Sequence, residues 1–165
     1  MIFKFRLLSS ENDDFIRDFE ISSEQTFYDL HLAIQKNCNY DTAQIASFFL
    51  CNNDWEKEKE ITLFDLSEEP GKSTLVMDNS IISQHITGLR QKLLYIFDFF
   101  NERAFFIEVV DIRDIVSSKS YPLCTLSQGL PPVQILLDEI SRGIDYLNDA
   151  DTDDNFPGDD EPIEE

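Results

Sequence analysis

Four side chains, in two segments, are of types and spacings that could do chemistry: Tyr95, Asp98 and Arg103 within residues 95–103 (YIFDFFNER), and Cys124 within residues 122–132 (PLCTLSQGLPP). A carboxylate packed against aromatic rings has its ionised form disfavoured and its pKa raised, which would suit Asp98 to general-base work beside Tyr95. Arg103 and Cys124 would line the same pocket, making it the site of an enzyme or a ligand-binding protein. The competing reading gives Asp98 a structural task, bonding the backbone of the turn that follows or pairing with Arg103.

Other chemistry is poorly represented. No Gly-x-Ser-x-Gly elbow occurs, and Cys38, Cys51 and Cys124 have no histidine close in sequence. His31 and His85 are the only histidines, and neither has a His or Cys three or four residues on, so no local zinc pattern exists. His31 reads as a hydrogen-bonded structural histidine and His85 as a surface one. Lys72-Ser73 ends like a phosphate-binding loop, but Leu66 stands where the first glycine belongs. Asp149, Asp151, Asp153 and Asp160 fit positions of a calcium-loop template, yet Asp154 replaces its glycine and Pro157 and Pro162 forbid an exit helix. No catalytic residue, metal or cofactor is therefore assigned.

The elements that must position these residues are legible from periodicity. Residues 2–8 (IFKFRLL) and 15–21 (FIRDFEI) alternate in the manner of half-buried strands around a turn-rich SSENDD, so they form a hairpin. Thr26 followed by Asp29 is a capping-box variant, and Phe27, Leu30 and Ile34 carry a helix to the stop at Asn37 and Asn39. Residues 47–51 (SFFLC) suit a buried third strand, and 61–66 a short edge strand or turn. The hydrophilic NNDWEKEKE between them reads as a loop, and 68–73 as a turn. Residues 92–98 and 104–110 read as a second hairpin at the heart of the sheet. Residues 121–132 read as an ordered loop, and 133–147 as a closing helix. The fold class is α+β, a mixed and mainly antiparallel sheet with an N-terminal hairpin–helix unit, for which the β-grasp arrangement is one architecture, and a C-terminal helix.

With 165 residues the chain suits one core, placed at residues 1–148, followed by a disordered acidic tail at 149–165. Ten of the 33 acidic residues fall within 145–165, which holds no Lys or Arg, while the remainder keeps 23 acids against 13 bases. Such a surface repels phosphate backbones, so direct nucleic-acid binding is not expected. No signal peptide or 18-residue apolar run is visible, and three scattered cysteines suit a reducing compartment, so the expectation is a cytoplasmic protein with no membrane partner.

Four segments resemble the plasmid pRiA4b Orf-like family, which includes insertion-element passenger proteins. Phe15-Ile16-Arg17 is similar to that family's Ile-Trp-Arg strand, and 26–35 (TFYDLHLAIQ) to its L-x-x-L-H-x-x-I-Q helix. Residues 95–103 stand at its Tyr-x-Tyr-Asp-Phe-Gly-Asp-x-Trp motif, keeping Tyr95, Asp98 and Phe99 but carrying Phe100-Asn101 and Arg103 for the Gly-Asp and Trp. Residues 122–132 match a Pro-x-Cys…Gly…Pro-Pro loop, with Val133-Gln134-Ile135 in place of the acids and glycines that usually follow. The resemblance covers about residues 1–132 and implies a fold rather than a reaction. Together these readings favour a non-enzymatic interaction module with a protein partner, one of basic character if the tail steers it. The alternative is the pocket around Tyr95, Asp98, Arg103 and Cys124.

Overall fold

The computed structural model describes residues 1–68 and 74–136. Residues Met1–Gln134 make one compact unit; of the second unit, Ile135–Glu165, only 135 and 136 are described, and they have no regular secondary structure. The acidic tail, the calcium-loop positions, most of the closing helix and the turn at 69–73 therefore lie outside the described residues.

Strands β1 (Ile2–Ser9) and β2 (Ile16–Ser22) form the expected antiparallel hairpin, with Phe5 facing Phe19. Alternation puts Phe3, Phe5, Leu7, Phe19 and Ile21 into the core, and Lys4, Arg6, Asp18 and Glu20 on the other face. That second face is tied by ion pairs, Arg6 to Asp18 at 2.8 Å and Lys4 to Glu20 at 3.4 Å, and Glu20 also accepts from Arg113.

Helix α1 (Phe27–Cys38) begins on the capping box read from sequence: Thr26 Oγ1 accepts from Asp29 N at 3.2 Å, and Asp29 Oδ2 accepts from Thr26 N at 2.9 Å. It ends where Asn39 adopts a left-handed φ of 53° and returns its N–H to Gln35 and Lys36 carbonyls. One helical face buries Phe27, Leu30, His31, Ile34, Gln35 and Cys38.

Strands β3 (Ser47–Cys51), β4 (Lys57–Thr62), β5 (Leu75–Val76), β6 (Lys92–Asp98), β7 (Arg103–Arg113) and β8 (Leu123–Gln128) complete one eight-stranded sheet in the order β5-β4-β3-β6-β7-β1-β2-β8. Every pairing is antiparallel except β4 with β5. A 3-10 turn (Met77–Asn79) and the short helix α2 (Ile82–His85) return to the start of α1, where Phe27 N donates to Ser80 O and Ile82 N to Gln25 O. The hairpin–helix opening of a β-grasp is present, although the sheet around it is larger and the second neighbour of β1, β7, runs antiparallel to it.

Three readings of the sequence are corrected. The hydrophilic stretch before Ile61 is not all loop, because β4 starts at Lys57 and pairs with β3 while Lys57–Glu60 stay exposed. Residues 123–128 are strand rather than loop, pairing with β2 at the sheet edge. His85 is half-buried, with its ring against Phe27 at 5.9 Å.

The core is unusually aromatic. Phe105 stacks on Phe15 at 4.8 Å and packs against Phe97 at 4.9 Å, and Tyr95 lies 4.8 Å from Phe48. Burying each such ring stabilises the fold by about 2–3 kcal/mol, and close aromatic pairs add about 1 kcal/mol.

Candidate functional site

The structure brings Asp98 and Arg103 together and sets Tyr95 and Cys124 apart from them. Asp98 ends β6 and Arg103 begins β7, so the register that pairs these strands makes them neighbours across the turn formed by residues 99–102. Asp98 Oδ2 lies 3.3 Å from Arg103 Nη1, and the Asp98 carboxylate also accepts from Asn101 N at 3.2 Å and Asn101 Nδ2 at 3.0 Å. Burial raises the pKa of Asp98, but the side-chain and backbone donors of Asn101 and the charge and hydrogen bond of Arg103 outweigh it, leaving the carboxyl below its ordinary value. That is the reverse of the raised value suggested by its aromatic neighbours, and it suits a fixed anion rather than a proton acceptor.

Arg103 is equally committed. Its Nε and Nη2 grip Glu11 at 3.0 and 2.9 Å, its Nη1 meets Asp98 and Gln134 O, and its Nη2 also donates to Val133 O at 2.6 Å. These contacts use the five N–H groups of a guanidinium. Burial lowers its pKa, but the hydrogen bonds and charges of Glu11 and Asp98 outweigh it, so the net shift is upward and the charge is held.

Tyr95 is wholly buried under α1, with its hydroxyl 2.8 Å from His31 Nδ1 and accepting from Gln35 Nε2 at 2.6 Å. The hydroxyl donates to Nδ1 in the His31 tautomer protonated at Nε2 and accepts from it in the other. Burial lowers the His31 pKa to about 4, which agrees with a neutral ring. The structural reading of His31 is therefore the one its surroundings support.

Cys124 lies in β8, which three strands separate from β6. Its Sγ accepts from Asn37 Nδ2 at 3.5 Å, and burial raises its pKa more than the nearby Arg17 lowers it, so the thiol stays protonated. Cys38 is pushed up to about 12, again chiefly by burial. None of the three cysteines is in a disulfide.

Sequence reasoning missed how the segment 128–134 is fastened. Arg17, buried in β2, donates to Gln128 O and to Gly129 O at 2.9 Å. Asn12 Nδ2 donates to Leu130 O at 2.6 Å, Tyr40 Oη to Pro132 O at 2.6 Å, and Gln134 exchanges two bonds with the Asp41 backbone. Gly129 has a φ of 70°, and a Cβ there would stand 2.3 Å from Asp14 O, so the motif glycine is required by close approach to the first hairpin turn. The residues carrying the family resemblance, Arg17, Gln35, Tyr95, Asp98 and Gly129, thus have structural tasks.

What this scaffold presents is an apolar and acidic end of the sheet. Phe99 and Phe100 project from the rigid turn at 41% and 73% exposure, with Val133 at 66% and Leu130 at 78% on the segment fastened by Arg103 and Asn12. Glu102 is exposed on the same turn, and Glu11, Asp13 and Asp14 on the neighbouring turn between β1 and β2. A cavity of about 390 Å³ opens among Glu11, Glu102 and Lys57, over Leu94, Ile96 and Phe106. Only a composition-level signal, Phe-Phe inside a turn, could have flagged this surface. Among the described residues no group of His, Cys, Asp and Glu is arranged to hold a metal ion, and no helix is long and apolar enough to cross a membrane.

Comparison with solved structures finds the same fold in a crystal structure of a protein of unknown function from Methanosarcina mazei Go1, with a TM-score of 0.61 at 20% identity over 76% of this chain and 68% of that one. No curated protein matches the sequence. The model of the plasmid pRiA4b ORF-3-like proteins matches residues 2–134, and the chain belongs to that family.

Proposed function

We propose that this protein is an interaction module, of the kind carried by plasmid-type and mobile-element gene families, whose folded unit docks a protein partner through the end of the sheet built by residues 10–15, 99–102 and 130–134. The observation that carries this reading is the pair Phe99 and Phe100, held out from a turn that Asp98, Asn101 and Arg103 make rigid. Leaving Phe100 largely and Phe99 partly in water forgoes about 2 kcal/mol of burial at Phe100 and about 1 kcal/mol at Phe99, which a partner would recover. Exposed apolar surface with a polar rim is the usual anatomy of a binding patch.

The rim supports a partner of basic character. Asp13, Asp14 and Glu102 are exposed on the turns at this end, and Glu11 already holds the saturated guanidinium of Arg103, so the surface suits a segment with apolar anchors flanked by Lys or Arg. A nucleic acid is disfavoured by the same acids. The committed state of Asp98, Arg103, Tyr95 and Cys124 argues against the alternative of a catalytic or ligand pocket shared by them.

The test is affinity capture from the native cell with the wild-type chain and with Phe100→Ser and Glu102→Lys variants that keep the wild-type circular dichroism and melting curve. The reading requires a partner recovered by the wild type and lost by both variants. Equal recovery by all three would overturn it.

A further inference from the structure

The two edges of the sheet differ in a way that points to a second surface, independent of the docking end above. At one edge β4 runs past the two-residue β5, and the part with no strand on its outer side among the described residues, Lys57–Glu60, reads Lys-Glu-Lys-Glu with all four residues exposed. Charged side chains are a usual guard against strand addition. The other edge, β8, reads Leu-Cys-Thr-Leu-Ser-Gln, with neither charge nor proline, and residues 125–128 are exposed. Among the described residues its backbone bonds only to β2, apart from two side-chain donors, Arg17 at Gln128 O and Cys124 Sγ at Leu126 O.

A cavity of about 460 Å³ runs beside that edge, between β8 and α1. Its walls are Phe19, Ala33, Pro122 and Cys124, and its polar groups are Lys36 and Asn37. Phe19 and Cys124 are register partners, so the cavity lies on the α1 face of the β2–β8 pair. Every second side chain of a strand added to β8 would point to that face. Asn37 is already fixed, accepting from Arg17 Nε at 2.5 Å and donating to Cys124 Sγ. Lys36 is exposed in the last turn of α1 and has no ion pair among the described residues, although the chain carries a formal charge of −20.

We propose that β8 accepts an extended segment of a partner protein as an additional strand, with one aliphatic side chain entering the cavity beside Phe19, Ala33 and Cys124 and an adjacent carboxylate meeting Lys36. Strand addition takes its affinity from main-chain hydrogen bonds and its specificity from pockets for alternate side chains, and β8 with this cavity offers both. A second copy of the chain fits less well, since its own β8 brings no carboxylate to Lys36 and the two chains repel.

The probe is a phage-displayed library of random dodecapeptides panned on the full chain, followed by fluorescence polarisation with a synthetic enriched peptide. Enriched sequences should place an aliphatic residue next to Asp or Glu, and the bound peptide should slow amide exchange in residues 123–128. Lys36→Glu should weaken binding at least tenfold, while Phe100→Ser leaves it unchanged and so separates this surface from the first. N-methylating alternate peptide amides should abolish binding in one register and spare it in the other, which tests strand pairing without altering the protein. The proposal is overturned by a library that yields no binder, by binders indifferent to Lys36→Glu and to N-methylation, or by a solution dimer that Leu126→Lys converts to monomer.

Discussion

Asp98 and Arg103 close the β6–β7 turn as an ion pair of 3.3 Å, and through the same guanidinium the turn is joined to Glu11 and to the carbonyls of Val133 and Gln134. Three segments distant in sequence therefore depend on one side chain. Arg103→Ala should lower the unfolding free energy by about 3 kcal/mol, because it strands Asp98 in a largely buried position. Arg103→Lys should recover less than half of that, since an ammonium cannot span the fork. Urea denaturation of the three proteins checks both values.

Phe99 and Phe100 lie outside the core, so replacing them should separate binding from stability. Phe100→Ser should change the unfolding free energy by no more than about 0.5 kcal/mol. A drop of several kcal/mol in denaturant titration would mean that the ring is buried in solution and not available to a partner.

The buried His31 sets a pH dependence whose sign is fixed. Its pKa is lowered to about 4 by burial, whereas the unfolded chain takes up that proton near pH 6.5. Between those values the unfolded state binds more protons, so stability is fully present above pH 6.5 and falls as the pH drops toward 4. At pH 5 the loss from His31 alone is about 2 kcal/mol. His85, whose pKa burial and then Lys59 also lower, contributes with the same sign. Chemical denaturation between pH 7.5 and 5.0 should show a clearly smaller slope for His31→Gln than for wild type.

Tyr95→Phe tests the same cluster differently. It removes the hydroxyl that joins His31 to Gln35 and leaves both without that partner in the core. The expected cost is about 2 kcal/mol, read as a lower melting temperature with unchanged far-ultraviolet circular dichroism.

Gly129→Ala should be more damaging than a loop position suggests. The backbone is left-handed at 70°, and the new methyl would meet Asp14 O at 2.3 Å. A destabilisation of about 2 kcal/mol or more is expected, and hydrogen exchange should rise in both the first hairpin turn and β8.

Much of the scaffold is written in local pattern. The alternation in IFKFRLL, the Thr26–Asp29 box and the apolar run of β3 each specify an element without help from distant residues, and the structure places them accordingly. Strand β8 and the first half of β4 carry no such signal. They sit at or near sheet edges with most side chains in water, so backbone pairing holds them and the hydrophobic period is missing. The candidate site was half legible: Asp98 and Arg103 fall five residues apart on one hairpin, and a turn between two strong strands must bring them close.

The sequence by itself determined the strand and helix periods, the capped start of α1, the central hairpin and the family resemblance, because each rests on residues within a few positions of one another. Only the tertiary structure decided that Tyr95 is sealed beneath α1, that Cys124 belongs to an edge strand across the sheet, and that Arg17 and Arg103 fasten the segment 128–134. Those outcomes depend on strand order and register across separations such as the 92 residues between Glu11 and Arg103. Side-chain hydrogen bonds over such distances leave no periodic trace in the chain that makes them.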